Sequence, residues 1–293
     1  MKRLVVILAL ALILLGCTQS LGKPKIEKIV NRWGNVTEDY TEIVTEITVY
    51  NPNPIPIPIK DVLTEVYLNG MKVGEGKSLQ SEIKPSSESK ILISTKIDNN
   101  YIPKWWVSHI KNRETSVLDV KGYLVFDLKI TTFKFELPGI HNEFKTDFLG
   151  GLSSPSQSFK LSAYNVVVES MNAHWGRVDD KVTEIVAIAK VRNDNLVPLL
   201  FTKMHYVIKA NGIVIGEGYT NVSTVIPPKS TAEVPIVLTI KTPKLKDWWI
   251  THIRNGEKTN IEFFIDSFVE IGGKMFEFSL AKMETTIQTQ LLG

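Results

Sequence analysis

The feature that most constrains this chain is that it is written twice. Trp33-Gly34 returns as Trp175-Gly176, Thr41–Val44 as Thr183–Val186, Asn69-Gly70 as Asn211-Gly212, and Gly74–Gly76 as Gly216–Gly218, each 142 residues later. Trp105-Trp106 and His109-Ile110 return as Trp248-Trp249 and His252-Ile253, now 143 residues later. Order and spacing survive over the whole length, which excludes chance. A period this long means tandem domains and not a solenoid, whose repeats run to roughly 20–50 residues. The small-residue stretch GGLSSPSQS falls between the copies and reads as a linker at 150–159. The expected domains are 24–149 and 160–293.

Within each copy the apolar residues mostly alternate. Ile43, Ile47 and Val49 do so in the first copy, and Ile185, Ala187, Ala189 and Val191 in the second. Val66 and Leu68 lead through Asn69-Gly70 to Met71 and Val73, a two-residue hairpin signal that recurs at Asn211-Gly212. Six or seven short strands per copy predict an all-β fold, two tandem antiparallel sandwiches of immunoglobulin or fibronectin type. One segment per copy breaks the alternation. Ile102, Trp106 and Ile110 follow helical spacing, as do Leu245, Trp249 and Ile253. Pro243 and Gly256 mark the second helix's start and stop. Each sandwich therefore carries one short helix.

The stretch NPNPIPIPI, residues 51–59, has proline at 52, 54, 56 and 58. If extended, it loses the backbone donors of one edge while its isoleucines share a face. It is thus expected to be a protected edge strand. The second copy has NDNLVPLLF at 193–201 and keeps only Pro198, so its edge should be covered by something else.

At the N-terminus a charged MKR precedes an apolar run, Leu4 to Leu15, of about a dozen residues. A membrane span needs roughly twenty, so this run fits a signal peptide, residues 1–16. It ends in Leu14-Leu15-Gly16-Cys17, which resembles a prokaryotic lipoprotein lipobox. That resemblance implies cleavage before Cys17, lipid on its thiol, and a tether over 17–23. Cys17 is the one cysteine, so no disulfide, zinc cage or redox pair is available. With Lys2 and Arg3 removed, 32 basic groups face 31 acidic ones. Such a balance, without a basic cluster, argues against a nucleic-acid partner. The expected partners are a membrane, reached through the anchor, a lipid ligand, and another envelope protein. Asn35 and Asn221 open glycosylation sequons that matter only in a glycosylating host.

VYNPNPIPIPI, then VYLNGMKVGEG, then IKPSSES resemble the late embryogenesis abundant group 2 family, whose domain is also called the water stress and hypersensitive response domain. The motif residues are Asn51, Pro52, Asn53 and Pro54; the second copy departs from them with Asn193-Asp194-Asn195. The resemblance implies a β-sandwich with a short helix, a non-enzymatic role in desiccation or other stress, and a suggested lipid-holding groove.

Chemistry is hard to find. The five histidines show no metal spacing, and His109 and His252 read as half-exposed helical residues. Asp179-Asp180 reads as a solvated turn. No nucleophile elbow, triad or phosphate loop is present, so no catalytic residue, metal or cofactor is expected. The tryptophan pairs admit two readings. Trp105, Trp106, Trp248 and Trp249 cap the cores, or one ring of each pair lines a mouth through which an acyl chain or a partner enters.

Overall fold

A computed structural model describes residues 22–78, 82–128, 131–152, 157–161 and 163–292. The expected signal peptide, Cys17 and residues 153–156 of the expected linker lie outside the described residues. The chain is mostly β-strand with two short helices.

The first repeat contributes β1 (Lys25–Val36), β2 (Tyr40–Asn51), β3 (Ile57–Leu68), β4 (Met71–Ser78), β5 (Glu82–Ile83) and β6 (Ser87–Asp98). Helix α1 (Ile102–Lys111) follows, then β7 (Thr115–Asp127), β8 (Thr132–Glu136) and β9 (Ile140–Lys145). The second repeat contributes β10 (Gln157–Leu161), β11 (Tyr164–Val178), β12 (Val182–Asn193), β13 (Leu199–Ala210), β14 (Ile213–Ile226) and β15 (Thr231–Lys241). Helix α2 (Leu245–Arg254), β16 (Lys258–Ile271) and β17 (Lys274–Gln288) complete it. Every described pairing is antiparallel.

Repeat one forms a continuous sheet in the order β1-β2-β6-β4-β3-β7-β8, with β9 on β7 and β5 on β3. Repeat two forms two four-stranded sheets, β10-β11-β12-β15 and β14-β13-β16-β17. The hairpin turns obey the sequence: Asn69 and Gly70 have φ of 50° and 76°, and Asn211 and Gly212 have 49° and 79°. A primed turn needs this left-handed pair, which Asn-Gly supplies at least cost. Pro103 sits in the first turn of α1, where no backbone donor is lost to the helix.

The proline segment departs from expectation. Residues 52–56 make a bend, and β3 begins only at Ile57, where Pro58 pairs with Glu82. Pro52, Pro54 and Pro56 lack backbone donors, so no ladder runs along the bend, and asparagine side chains take over its hydrogen bonding. Asn51 Nδ2 donates to the carbonyls of Ile55 (2.9 Å) and Lys84 (3.0 Å), and Asn51 Oδ1 accepts from Asn53 N (2.9 Å). Asn193 and Asn195 repeat this: Asn193 Nδ2 reaches Val197 O (2.9 Å) and Asn195 N reaches Asn193 Oδ1 (2.9 Å). The copies share these two asparagines and the Pro56/Pro198 position, while Pro52, Pro54 and Pro58 have no counterpart in repeat two, where the bend persists. Nor is either strand an edge: β3 lies between β4 and β7, and β13 between β14 and β16.

One defect stands out in the core. Ser267 on β16 is fully buried and its Oγ has no hydrogen-bond partner. The repeat-equivalent position is Leu124, buried among apolar neighbours. An unsatisfied buried hydroxyl costs roughly 1–3 kcal/mol. Ser267→Ala is therefore expected to raise unfolding stability by about 1 kcal/mol, measured by urea denaturation of the purified chain.

Candidate functional site

The two helices bring the repeats together, and all six tryptophans of the chain gather where they meet. Trp105, Trp106, Trp248 and Trp249 are buried. Trp105 stacks on its counterpart Trp248, with centroids 6.4 Å apart and planes 8° apart. Around that pair the contacts come in matched couples. Trp105 meets Trp249 edge-on at 5.5 Å, and Trp248 meets Trp106 at 5.4 Å. Trp33 meets Trp249 at 6.4 Å and 90°, and Trp175 meets Trp106 at 6.0 Å and 86°. A self-complementary surface that contacts its own copy is the mark of two-fold packing, here realised within one chain. Edge-on and offset rings contribute roughly 0.5–1.5 kcal/mol per pair beyond their burial. These four rings are buried where the two repeats meet.

Polar groups fix the register of this apolar contact. A buried indole N–H needs an acceptor. Trp33 Nε1 donates to Glu257 Oε1 at 2.8 Å, and Trp175 Nε1 to Glu114 Oε1 at 3.0 Å. Trp249 Nε1 donates to Thr41 Oγ1 at 3.0 Å, and Trp106 Nε1 to Thr183 Oγ1 at 3.2 Å. All four bonds cross from one repeat to the other. Lys246 Nζ to Asn100 Oδ1 (2.9 Å) and Arg254 Nη2 to Val36 O (2.5 Å) add exposed crossings.

Each buried glutamate is held from behind by its own repeat. Glu114 Oε2 accepts from Thr146 Oγ1 (2.8 Å) and Phe148 N (2.7 Å). Glu257 Oε2 accepts from Thr289 Oγ1 (2.9 Å) and Leu291 N (2.6 Å). The threonines lead back to the histidines. Ser116 Oγ accepts from Trp105 Nε1 (2.9 Å) and Asn69 Nδ2 (3.1 Å), so its one hydrogen goes to His109 Nδ1 (2.8 Å). His109 Nε2 then carries the ring proton and donates to Thr146 Oγ1 at 2.9 Å. In repeat two Thr259 takes the part of Ser116: it accepts from Trp248 (2.9 Å) and lies 2.8 Å from His252 Nδ1, while His252 Nε2 meets Thr289 at 2.9 Å. The histidines are thus not half-exposed but fully enclosed, because both ring nitrogens find hydroxyl partners inside the fold. Asp179 stands in a turn, accepting from Lys181 N and Val182 N at 2.9 Å each, and those bonds hold its carboxyl at about 2.

Sequence reasoning missed Glu114, Glu257, Thr41 and Thr183. The pattern Glu-x-Ser/Thr, at 114–116 and again 143 residues later at 257–259, carried a readable trace of the glutamates. Among the described residues no cluster of His, Asp, Glu or Cys could hold a metal, and no helix is long and apolar enough to cross a membrane. An open cleft of about 680 Å³ runs beside the junction, walled by Ile110, Arg113, Lys145, Asp147, His174 and Trp175.

Residues 46–138 match the family model described as late embryogenesis abundant protein. An uncharacterized protein of Methanocaldococcus jannaschii is 28% identical over 134 residues, which cover 44% of this chain and 75% of that protein. Among solved structures, a protein from Archaeoglobus fulgidus is 40% identical over 43% of this chain and 99% of its own, with a TM-score of 0.41. A domain of the late embryogenesis abundant group 2 type therefore occupies part of this chain, and that family is non-catalytic. The motif asparagines, Asn51 and Asn53, lie within the matched residues and do structural work there.

Two outcomes follow from the junction. Glu257→Ala strands three donors, Trp33 Nε1, Thr289 Oγ1 and Leu291 N, and should cost roughly 3 kcal/mol or more. Glu257→Gln keeps an acceptor and should cost less, both read by urea denaturation. Burial also pushes the His109 and His252 imidazoles from 6.5 down to about 4, opposed at His252 by the nearby Glu257. Between those values the unfolded chain binds protons that the folded chain does not. Stability is then complete above about pH 6.5 and lost as pH falls towards 4, by up to roughly 3 kcal/mol per histidine. A denaturation series across pH 4–8 should show this slope, and His109→Gln with His252→Gln should flatten it.

Proposed function

We propose that this protein is an exported, lipid-anchored, non-catalytic member of the late embryogenesis abundant group 2 class, acting at the cell envelope in desiccation or other stress. On this reading residues 1–16 are a signal peptide and Cys17 carries the lipid. Residues 17–23 are the tether, and 24–149 and 160–293 are two immunoglobulin- or fibronectin-like sandwiches joined over 150–159. The observation that carries the protective role, over lipid carriage through a tryptophan-lined mouth, is the enclosure of Trp105, Trp106, Trp248 and Trp249 at the junction. Rings committed to holding two repeats together are not free to receive an acyl chain. What remains is a stiff two-repeat body, which suits a protein that must keep its fold as water is withdrawn.

A second reading, an envelope scaffold or adaptor, is favoured by Val225 and Met275. Both are 55% exposed and lie at the same level of the β14-β13-β16-β17 sheet, with Leu200 and Glu270 between them. Exposed apolar groups in one row suit a protein partner.

The test pairs location with protection. In a producing cell, Cys17→Ser should move the protein from the membrane fraction to the soluble exported fraction. The purified body should preserve a co-dried reporter enzyme several-fold better than an equal mass of an unrelated β-protein. No change in fractionation removes the anchor, and no excess protection leaves the scaffold reading.

A further inference from the structure

The cores of the two repeats differ in one layer. Between the strands of repeat one, Asn31 on β1, Thr45 on β2, Thr64 on β3 and Thr95 on β6 share a level with Val120 and Gly122 on β7. The equivalent residues of repeat two are Ala173, Ala187, Tyr206, Leu238, Phe263 and Ile265. There two rings and two aliphatic side chains fill the space. The threonines of repeat one are just as enclosed, with Thr45, Thr64 and Thr95 at 7%, 2% and 1% exposure.

This polar layer divides the apolar core. On its junction side Ile43, Val66 and Ile97 are continuous with the core of repeat two. On its far side Ile47, Ile57, Ile91 and Phe126 belong to a separate cluster. Their equivalents Ala189, Leu199, Val234 and Val269 all belong to the cluster that holds the junction. Repeat two thus has one core from end to end, and repeat one has two.

The layer has more hydrogen-bonding capacity than its own side chains use. Thr45 Oγ1 donates to Asn31 Oδ1 at 2.7 Å, and the Thr64 and Thr95 hydroxyls share one bond of 2.8 Å. Thr45 Oγ1 can still accept, Asn31 Nδ2 can still donate, and one hydroxyl of the threonine pair keeps its hydrogen. A cavity of about 20 Å³ lies at this place, with Asn31, Thr45 and Thr64 on its polar side and Ile29, Val120 and Leu137 on its apolar side. A water needs roughly 10–15 Å³ of such space and two to four polar partners. An acyl chain or any other organic ligand is too large for it.

We propose that this layer is the site of one internal water, which accepts from Asn31 Nδ2 and donates to Thr45 Oγ1 with Thr64 beside it. Repeat one then keeps a hydrated core where repeat two keeps a dry one. The inference goes beyond the protective role and does not depend on it. Its consequence is mechanical. A layer tied by polar groups and water carries no apolar contact from the junction to the far cluster, so the far half of repeat one opens while the junction stays closed. The same opening in repeat two has to break a continuous core.

A high-resolution crystal structure of the purified chain should show one ordered water within hydrogen-bond distance of both Asn31 and Thr45. A layer without that water overturns the site. Amide exchange read by mass spectrometry tests the consequence. Residues 46–51 and 88–93 should exchange roughly ten-fold faster than their equivalents 188–193 and 231–236, and equal exchange contradicts the divided core. Thr64→Val with Thr95→Val replaces the shared hydroxyls by methyl groups of the same shape. In that variant the difference between the repeats should shrink to roughly three-fold or less. An unchanged difference in the folded variant overturns the link between the layer and the opening. Should the variant fail to fold, the unaltered chain still decides both points.

Discussion

Two buried carboxylates, Glu114 and Glu257, each receive an indole N–H from the opposite repeat, and the packing of the whole chain depends on that exchange. A buried charge is tolerable only when its hydrogen bonds are complete. Each glutamate has two donors from its own repeat and one from the other, so neither repeat alone satisfies its own glutamate. The rings bring apolar area and attraction, while the carboxylates and threonines decide how the rings meet. Because each repeat both gives and receives, the two halves of the junction stand or fall together.

Duplication explains the economy of this arrangement. One surface that pairs with itself needs one set of residues, and two linked copies make the pairing intramolecular. The copies have since diverged away from the junction. The β4–β6 ladder joins repeat one into a continuous sheet, whereas repeat two keeps two separate sheets. The junction itself is conserved to the level of single hydroxyls, with Ser116 and Thr259 in the same role. Divergence in how the sheets join, with constancy at the junction, indicates which region tolerates change.

Much of the fold was legible because local chemistry decides it. Asn-Gly selects the primed turns, period-two alternation selects the strands, and Ile102, Trp106 and Ile110 select the buried face of α1. The proline stretch was misread because its extended form was judged on donors alone. Asn51 and Asn53 were motif letters until their side chains were seen closing the bend. The junction was less legible still. Nothing in Trp33 or Glu257 alone shows that they meet across 224 residues; that pairing is a property of two copies facing each other. The histidines were underestimated for the same reason, since their partners Thr146 and Thr289 lie 37 residues away on each copy.

Differential scanning calorimetry of the intact chain near pH 7.5 tests the central claim most directly. If the junction couples the repeats as described, a single transition should appear with van't Hoff and calorimetric enthalpies equal. Two transitions, or a calorimetric enthalpy about twice the van't Hoff value, would mean that the repeats unfold independently, contradicting the junction as the interaction that holds them as one body.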